Sequence, residues 1–211
     1  MLVENIMQTP VVTIGPDVSI AKALQVAGAH NIRHLPIVED MKLVGIVSDR
    51  DLRDARPSSL ENRDLEILEK IPVSRIMKSN VITIHPLDFF DEAVKLFHEH
   101  KIGCLPVVSN GMLAGIVSET DILRHLVEML GILSAGSYLE VDIPDKPGVL
   151  AEITQIIKNH GVNISSVLLC PAKENGRKCL VLRVQALNIS KILAEIEGAG
   201  YKVIWPAATG E

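Results

Sequence analysis

Aromatic residues are nearly missing from this chain: Phe, Trp and Tyr make up 3% of its 211 residues, with a single Trp. Its cores must therefore be built from Val, Ile, Leu and Ala, which is feasible because 47% of the chain is hydrophobic. Cysteine is equally sparse. Cys104, Cys170 and Cys179 are too few and too scattered for a disulfide framework or a zinc site. An excess of positive charge is also absent. The formal net charge is −5 with acids and bases interspersed, which argues against a nucleic-acid binder. The N-terminus has no basic region ahead of an apolar run, so no signal peptide is expected. No stretch reaches the roughly 20 apolar residues that cross a bilayer. A reduced cytoplasm is the expected home.

What is present is a duplication. Met7 matches Met77, Thr13 matches Thr83 and Pro16 matches Pro86, and the same offset relates Pro36 to Pro106, Gly45 to Gly115, Ser48 to Ser118 and Asp51 to Asp121. Roughly 19 of 50 positions are identical between residues 3–52 and 73–122 without a gap. Each unit reads strand, helix, strand, strand, helix. Val11 to Ile14 is a β-branched run stopped by Gly15-Pro16. Ile20, Ala23, Leu24 and Ala27 then recur at helical spacing, as do Phe90, Ala93, Val94 and Phe97. Ile37-Val38 and Leu43 to Val47 predict a hairpin. In the second copy its turn is Asn110-Gly111, a pair suited to the two positive φ angles of a type I′ turn.

A unit of some fifty residues buries too little surface to be stable alone. Two copies packed face to face remove that difficulty and bring equivalent residues into a shared cleft. The linker, about residues 53–72, contains an amphipathic turn or two from Leu60 to Lys70, with Ser59 as N-cap.

The motif Gly-Ile-Val-Ser-x-x-Asp at 45–51 and 115–121 has two readings. In one, Ser48 with Asp51, and Ser118 with Asp121, are capping boxes that satisfy orphan N–H groups. In the other, the hydroxyl meets a phosphate oxygen at a helix N-terminus and the carboxylate accepts from ribose hydroxyls. Leu35-Pro36 and the edge at Thr13-Ile14 then form the slot for adenine. Ile6-Met7, Val12-x-Ile14-x-Pro16, Leu35-Pro36-Ile37-Val38 and Gly45-Ile46-Val47-Ser48-x-x-Asp51, all repeated, resemble a CBS-domain pair over residues 1 to 127.

That resemblance implies adenosine-nucleotide binding (AMP, ADP, ATP or S-adenosylmethionine). The candidate residues are Thr13, Ile14, His34, Leu35, Pro36, Ser48 and Asp51, with Thr83, Ile84, Cys104, Leu105, Pro106, Ser118 and Asp121 in the copy. The copies differ. Arg33-His34 and Asp49-Arg50 face Gly103-Cys104 and Glu119-Thr120, so the first site is expected to favour additional phosphates.

After Ser134-Ala135-Gly136 the pattern changes. Leu139, Val141 and Ile143 alternate with Glu140 and Asp142. A helix from Val149 to about Gly161, strands over 163–170 and 178–186, a helix after Ser190 and a strand over 202–205 give the order β-α-β-β-α-β, a ferredoxin-like sandwich. Asp145-Lys146-Pro147-Gly148-Val149-Leu150 and Gly161-Val162-Asn163-Ile164 resemble an ACT domain. The resemblance implies an amino-acid site between paired domains, with Asp145, Gly148, Val149, Leu150, Asn163 and Ile164 as its candidate residues. A purely dimerising domain is the competing reading.

The fold class expected is α+β: CBS 1 with its linker over 1–70, CBS 2 over 71–130, and an ACT domain over 137–211. No Gly-x-Ser-x-Gly, Walker loop, His-Glu-x-x-His or Cys-x-x-Cys occurs. His98 and His100 do not share a helical face, so neither enzyme, cofactor nor metal is expected. The domain order resembles the stand-alone CBS–ACT proteins of the acetoin-utilisation type. This implies a homodimeric regulator of bacterial carbon metabolism acting on an unknown protein, with no nucleic-acid or membrane partner. A structural adaptor with empty pockets is the alternative.

Overall fold

A computed structural model describes residues 1–55 and 67–206. The chain divides into two compact units, Met1–Leu123 and Arg124–Glu211. Most of the expected Leu60–Lys70 helix, and its Ser59 cap, lies outside the described residues. Among the described residues no helix is long and apolar enough to cross a membrane.

In the first unit the duplication becomes a pair of matching folds. The first copy has α1 (Ile20–His30), β1 (His34–Glu39), β2 (Lys42–Ser48) and α2 (Asp49–Asp54). The second has α3 (Phe90–His100), β3 (Cys104–Ser109), β4 (Met112–Ser118) and the start of α4 (Glu119–Met129), which leaves this unit after Leu123. Ser19 caps α1 by accepting from the Lys22 N–H, whereas its counterpart before α3 is an exposed Phe89 with no side-chain cap. Each β pair is an antiparallel hairpin. Asn110 and Gly111 turn with φ of 51° and 77°, and Asp40 and Met41 take the same conformation with φ of 49° and 64°. Met41 thus holds a left-handed backbone that suits Gly better.

The expected first strand of each copy reduces to one bridge, Ile14 to Ile37 and Ile84 to Val107. Pro10 and Pro16 bracket the first run, and proline has no N–H to give a ladder. Among the described residues the run forms only the bonds from Ile14 N–H to the Pro36 carbonyl and from Val38 N–H to the Ile14 carbonyl.

The copies meet along β2 and β4, in the order β1-β2-β4-β3, at the pair Lys42–Met112. They also exchange arms. Gln8 bridges Ile116 on β4, and Lys78 bridges Ile46 on β2. Met7 and Met77 come with the arms and pack over Gly115 and Gly45. A Cβ on Gly45 would stand 2.6 Å from Met77 Sδ, and one on Gly115 2.5 Å from Met7 Sδ. The glycine of the repeated motif is therefore a gap for the other copy's methionine.

The second unit is β5 (Ser137–Pro144), α5 (Val149–Asn159), β6 (Ile164–Pro171), β7 (Arg177–Val184), α6 (Ser190–Gly198) and β8 (Lys202–Trp205). Its antiparallel sheet runs β6-β7-β5-β8. Leu139, Val141 and Ile143 of β5 and Leu180, Leu182 and Val184 of β7 share a core with Ile153 and Ile157 of α5 and Ile192 and Ile196 of α6. The two helices thus cover one face, as period-2 burial in the strands requires.

Candidate functional site

The exchanged arms build the site. The Lys78–Ile46 bridge lies two residues before Ser48, so the second copy's arm runs beside the first copy's Ser48-x-x-Asp51. Between them is a cavity of about 400 Å³. Its walls come from Arg33, His34, Ile46 and Ser48–Asp51 of the first copy, and from Lys78, Asn80–Ile82 and Lys101–Cys104 of the second. It combines apolar side chains (Ile46, Val81, Ile82, Ile102) with four cations, Arg33, Arg50, Lys78 and Lys101.

Ser48 and Asp51 adopt the capping geometry. Ser48 Oγ accepts from the Asp51 N–H at 3.1 Å and donates to Asp51 Oδ2 at 2.6 Å, and the Ser48 N–H donates to the same oxygen at 2.9 Å. Among the described residues Asp51 Oδ1 accepts no hydrogen bond, and it belongs to a half-buried carboxylate on the cavity wall. Burial works against ionisation of Asp51, but the two Ser48 hydrogen bonds, the Lys78 charge and, when it is protonated, His34 outweigh it and hold its carboxyl below the ordinary range. His34 is held below its usual value by burial and then by Arg33, against the pull of Asp49, Asp51 and Glu119. It is therefore neutral near pH 7. Its ring lies where a side chain at residue 103 would go, 3.0 Å from a Cβ built on Gly103.

Of the first-copy candidates, His34, Ser48 and Asp51 line this cavity, and Cys104 joins them from the second copy. Thr13, Ile14, Leu35 and Pro36 do not. Leu35, at 1% exposure, and Ile14 belong to the hydrophobic core, because alternate positions of β1 face inward and Ile14 is bridged to that strand. The slot expected from Leu35-Pro36 therefore lies outside this cavity, whose apolar lining includes Val81 and Ile82 of the other copy. Thr83, Ile84, Leu105 and Pro106 are likewise outside it, with Ile84 and Leu105 in the core.

The second motif repeats the cap. Ser118 Oγ donates to Asp121 Oδ2 at 2.5 Å, and the Ser118 N–H donates to the same oxygen at 2.9 Å. Here the arm residue is Gln8, whose Nε2 donates to Asp121 Oδ1 at 2.9 Å. Asp121 is 5% exposed. The oxygen left open in the first copy is filled in the second.

In the second unit the candidates split into two groups. Asp145 and Gly148 precede α5, whereas Asn163 and Ile164 follow it, so an 11-residue helix of about 16 Å separates them. Gly148 has φ of 92°, a conformation that only Gly takes without strain. Asp145 pairs with Lys178 at 3.1 Å, and Asn163 Nδ2 donates to Gln185 Oε1 at 3.4 Å. Val149 is a core residue at 6% exposure and presents no side chain to a ligand, while Leu150 is exposed and Ile164 is packed against the core. Within one chain these residues form no single pocket.

Sequence reasoning missed Lys78, Asn80, Val81, Ile82, Lys101 and Ile102. The available signal was Lys78 against Gln8, a change of charge directly after the matched Ile6-Met7 and Ile76-Met77.

A CBS-domain model matches residues 3–58 and 73–128, and an ACT-domain model matches residues 137–200. The chain is 39% identical over 136 residues to a CBS domain-containing protein of Dictyostelium discoideum, covering 62% of this chain and 94% of that one. Among solved structures, the CBS domain pair of protein MJ0100, in complex with 5′-methylthioadenosine and S-adenosyl-L-methionine, superposes with a TM-score of 0.51. The two are 33% identical, over 60% of this chain and 95% of that one. A Vibrio cholerae protein described as acetoin utilisation protein AcuB gives a TM-score of 0.55 at 30% identity, over 63% of this chain and 95% of that one.

Proposed function

The chain belongs to the CBS-domain family, as a CBS pair followed by an ACT domain, and from that premise we propose that it is a non-catalytic sensor of a phosphorylated adenosine nucleotide. The observation that carries the reading is the cavity shared by the two copies, with an unspent carboxylate oxygen on Asp51. Its size falls in the range that holds small ligands. Asp51 Oδ1 accepts from a ribose hydroxyl, Val81 and Ile82 flank the base, and Lys78, Arg33, Arg50 and Lys101 neutralise the phosphates. The phosphates go to these cations rather than to Ser48, whose hydroxyl is occupied by the cap. The ligands of the MJ0100 pair, 5′-methylthioadenosine and S-adenosyl-L-methionine, support the adenosine part of this assignment. The four cations favour ADP or ATP over those two.

A ligand held by both copies biases their arrangement by its differential affinity for the two states. We propose that a cytoplasmic homodimer passes this bias to a regulated partner, and the likeness to AcuB supports a role in carbon metabolism such as acetoin utilisation. An amino-acid site in the ACT domain requires a second subunit, because Asp145–Leu150 and Asn163–Ile164 lie at opposite ends of α5. The capping geometry of both Ser-x-x-Asp motifs favours a second reading, an adaptor without ligand.

Thermal unfolding of nucleotide-stripped protein separates the two. ADP or ATP at 100 times its dissociation constant is expected to add about 2.7 kcal/mol, and Asp51→Ala to remove that gain. If the midpoint stays unchanged with every adenosine compound, the adaptor reading holds instead.

A further inference from the structure

β6 and β7 are antiparallel neighbours, and their register sets Cys170 directly opposite Cys179. Directly opposed residues share a face of the sheet, with Cα atoms about 4.5–5.5 Å apart. That separation lies inside the roughly 4.4–6.8 Å that a disulfide spans. Leu180 and Leu182, which alternate with Cys179, point into the core beneath the helices, so both thiols stand on the opposite face. Cys170 is exposed and Cys179 is half-buried, and both are free. Cys179 also lines an open depression of about 300 Å³ with Pro171, Lys173 and Arg177. The third cysteine is unlike these two. Cys104 is buried, and burial pushes its thiol up to about 12.

We propose that Cys170 and Cys179 are a redox modification site, a cross-strand dithiol that closes to a disulfide by exchange with a small-molecule disulfide. The Cys170 thiolate attacks one sulfur of R–S–S–R, forms a mixed disulfide and releases the first R–S⁻. Cys179 then attacks the Cys170 sulfur of that adduct, closes the Cys170–Cys179 bond and releases the second R–S⁻. The protons of the two cysteines pass to the two leaving thiolates. The protein loses two electrons, and one R–S–S–R becomes two R–SH. Cys170 attacks first because it is exposed. Burial, and then Glu140, Cys170 and Asp142, hold the Cys179 thiol above its usual value, so it stays protonated for longer. The product ties β6, an outer strand of the sheet with Val167, Leu168 and Leu169 exposed, to its inner neighbour.

The test uses the full chain equilibrated with oxidised and reduced glutathione, quenched in acid, alkylated and digested without reduction. The expected result is a product two hydrogens lighter, with residues 170 and 179 in one linked peptide and Cys104 alkylated only after denaturation. Hydrogen exchange at the β6 amides should slow in that product. Cys170→Ser should leave a glutathione adduct on Cys179 and no internal link. Separate adducts on Cys170 and Cys179 of the native chain, or intact thiols at both while the glutathione is mostly oxidised, would overturn the proposal. The inference rests on the sheet register and the exposure of the two thiols, so it stands or falls independently of nucleotide binding.

Discussion

The two copies share one backbone plan and differ at the residues that touch the motif carboxylates. Lys78 stands beside Asp51 as a charge in an open cavity, while Gln8 fills the equivalent place by hydrogen-bonding Asp121. Arg33, His34 and Arg50 in the first copy become Gly103, Cys104 and Thr120 in the second. Duplication has thus preserved the cap and the glycine gap, which each fold needs, and has let the surrounding charges diverge. One carboxylate keeps an oxygen open to the cavity and the other is committed to structure.

The shared features are the first place to break this symmetry. Gly115→Ala should destabilise the first unit by about 1–3 kcal/mol, because its Cβ meets Met7 Sδ at 2.5 Å and Met7 Cβ at 3.2 Å. Urea unfolding measures the loss, and adding Met7→Ala should restore part of it. A partial rescue ties the glycine to the exchanged arm, and no rescue would remove that explanation.

The carboxylates come next. Asp121→Ala deprives the Ser118 N–H, the Ser118 hydroxyl and Gln8 of a buried acceptor and should cost about 1–3 kcal/mol. Asp51→Ala should cost less, about 0.5–2 kcal/mol, as the loss of a half-exposed cap. Equal losses, or the reverse order, would contradict the division into an open and a committed site.

The smallest expected effect belongs to His34. A histidine whose folded-state pKa is lowered binds fewer protons folded than unfolded at mildly acid pH. Its contribution is complete above the unfolded value near 6.5 and is lost as pH falls from there through the lowered folded value. Stability should decline between pH 7.5 and 5 in the wild type and decline less in His34→Gln. If both chains show the same slope, His34 is not the group being protonated.

Much of this architecture was legible because it is local or periodic. The constant offset, the alternation in Leu139–Ile143 and the helical spacing around Ile153 and Ile192 each follow from side-chain direction along one element. The Ser-x-x-Asp caps were legible as one of two readings. The composition of the cavity was not, because it depends on which copy each arm joins. The duplication led to the expectation of a shared cleft, but with Leu35-Pro36 two and three residues from Arg33, and close to Ser48 through the β1–β2 hairpin, the apolar slot was expected from the same copy as the motif. The exchange of arms instead brings Lys78 and Val81-Ile82 across from the other copy and leaves Leu35 in the core. The glycines at 45 and 115 keep room for the other copy's methionine, a reason that shows only once the arms are placed.

The most direct test of the central claim is a calorimetric titration of the stripped full-length protein with ADP, repeated on Asp51→Ala, Lys78→Ala and Gln8→Ala. The account predicts one site per chain, lost with Asp51→Ala, weakened with Lys78→Ala and retained with Gln8→Ala. Two equal sites per chain, or binding that survives Asp51→Ala unchanged, would contradict it.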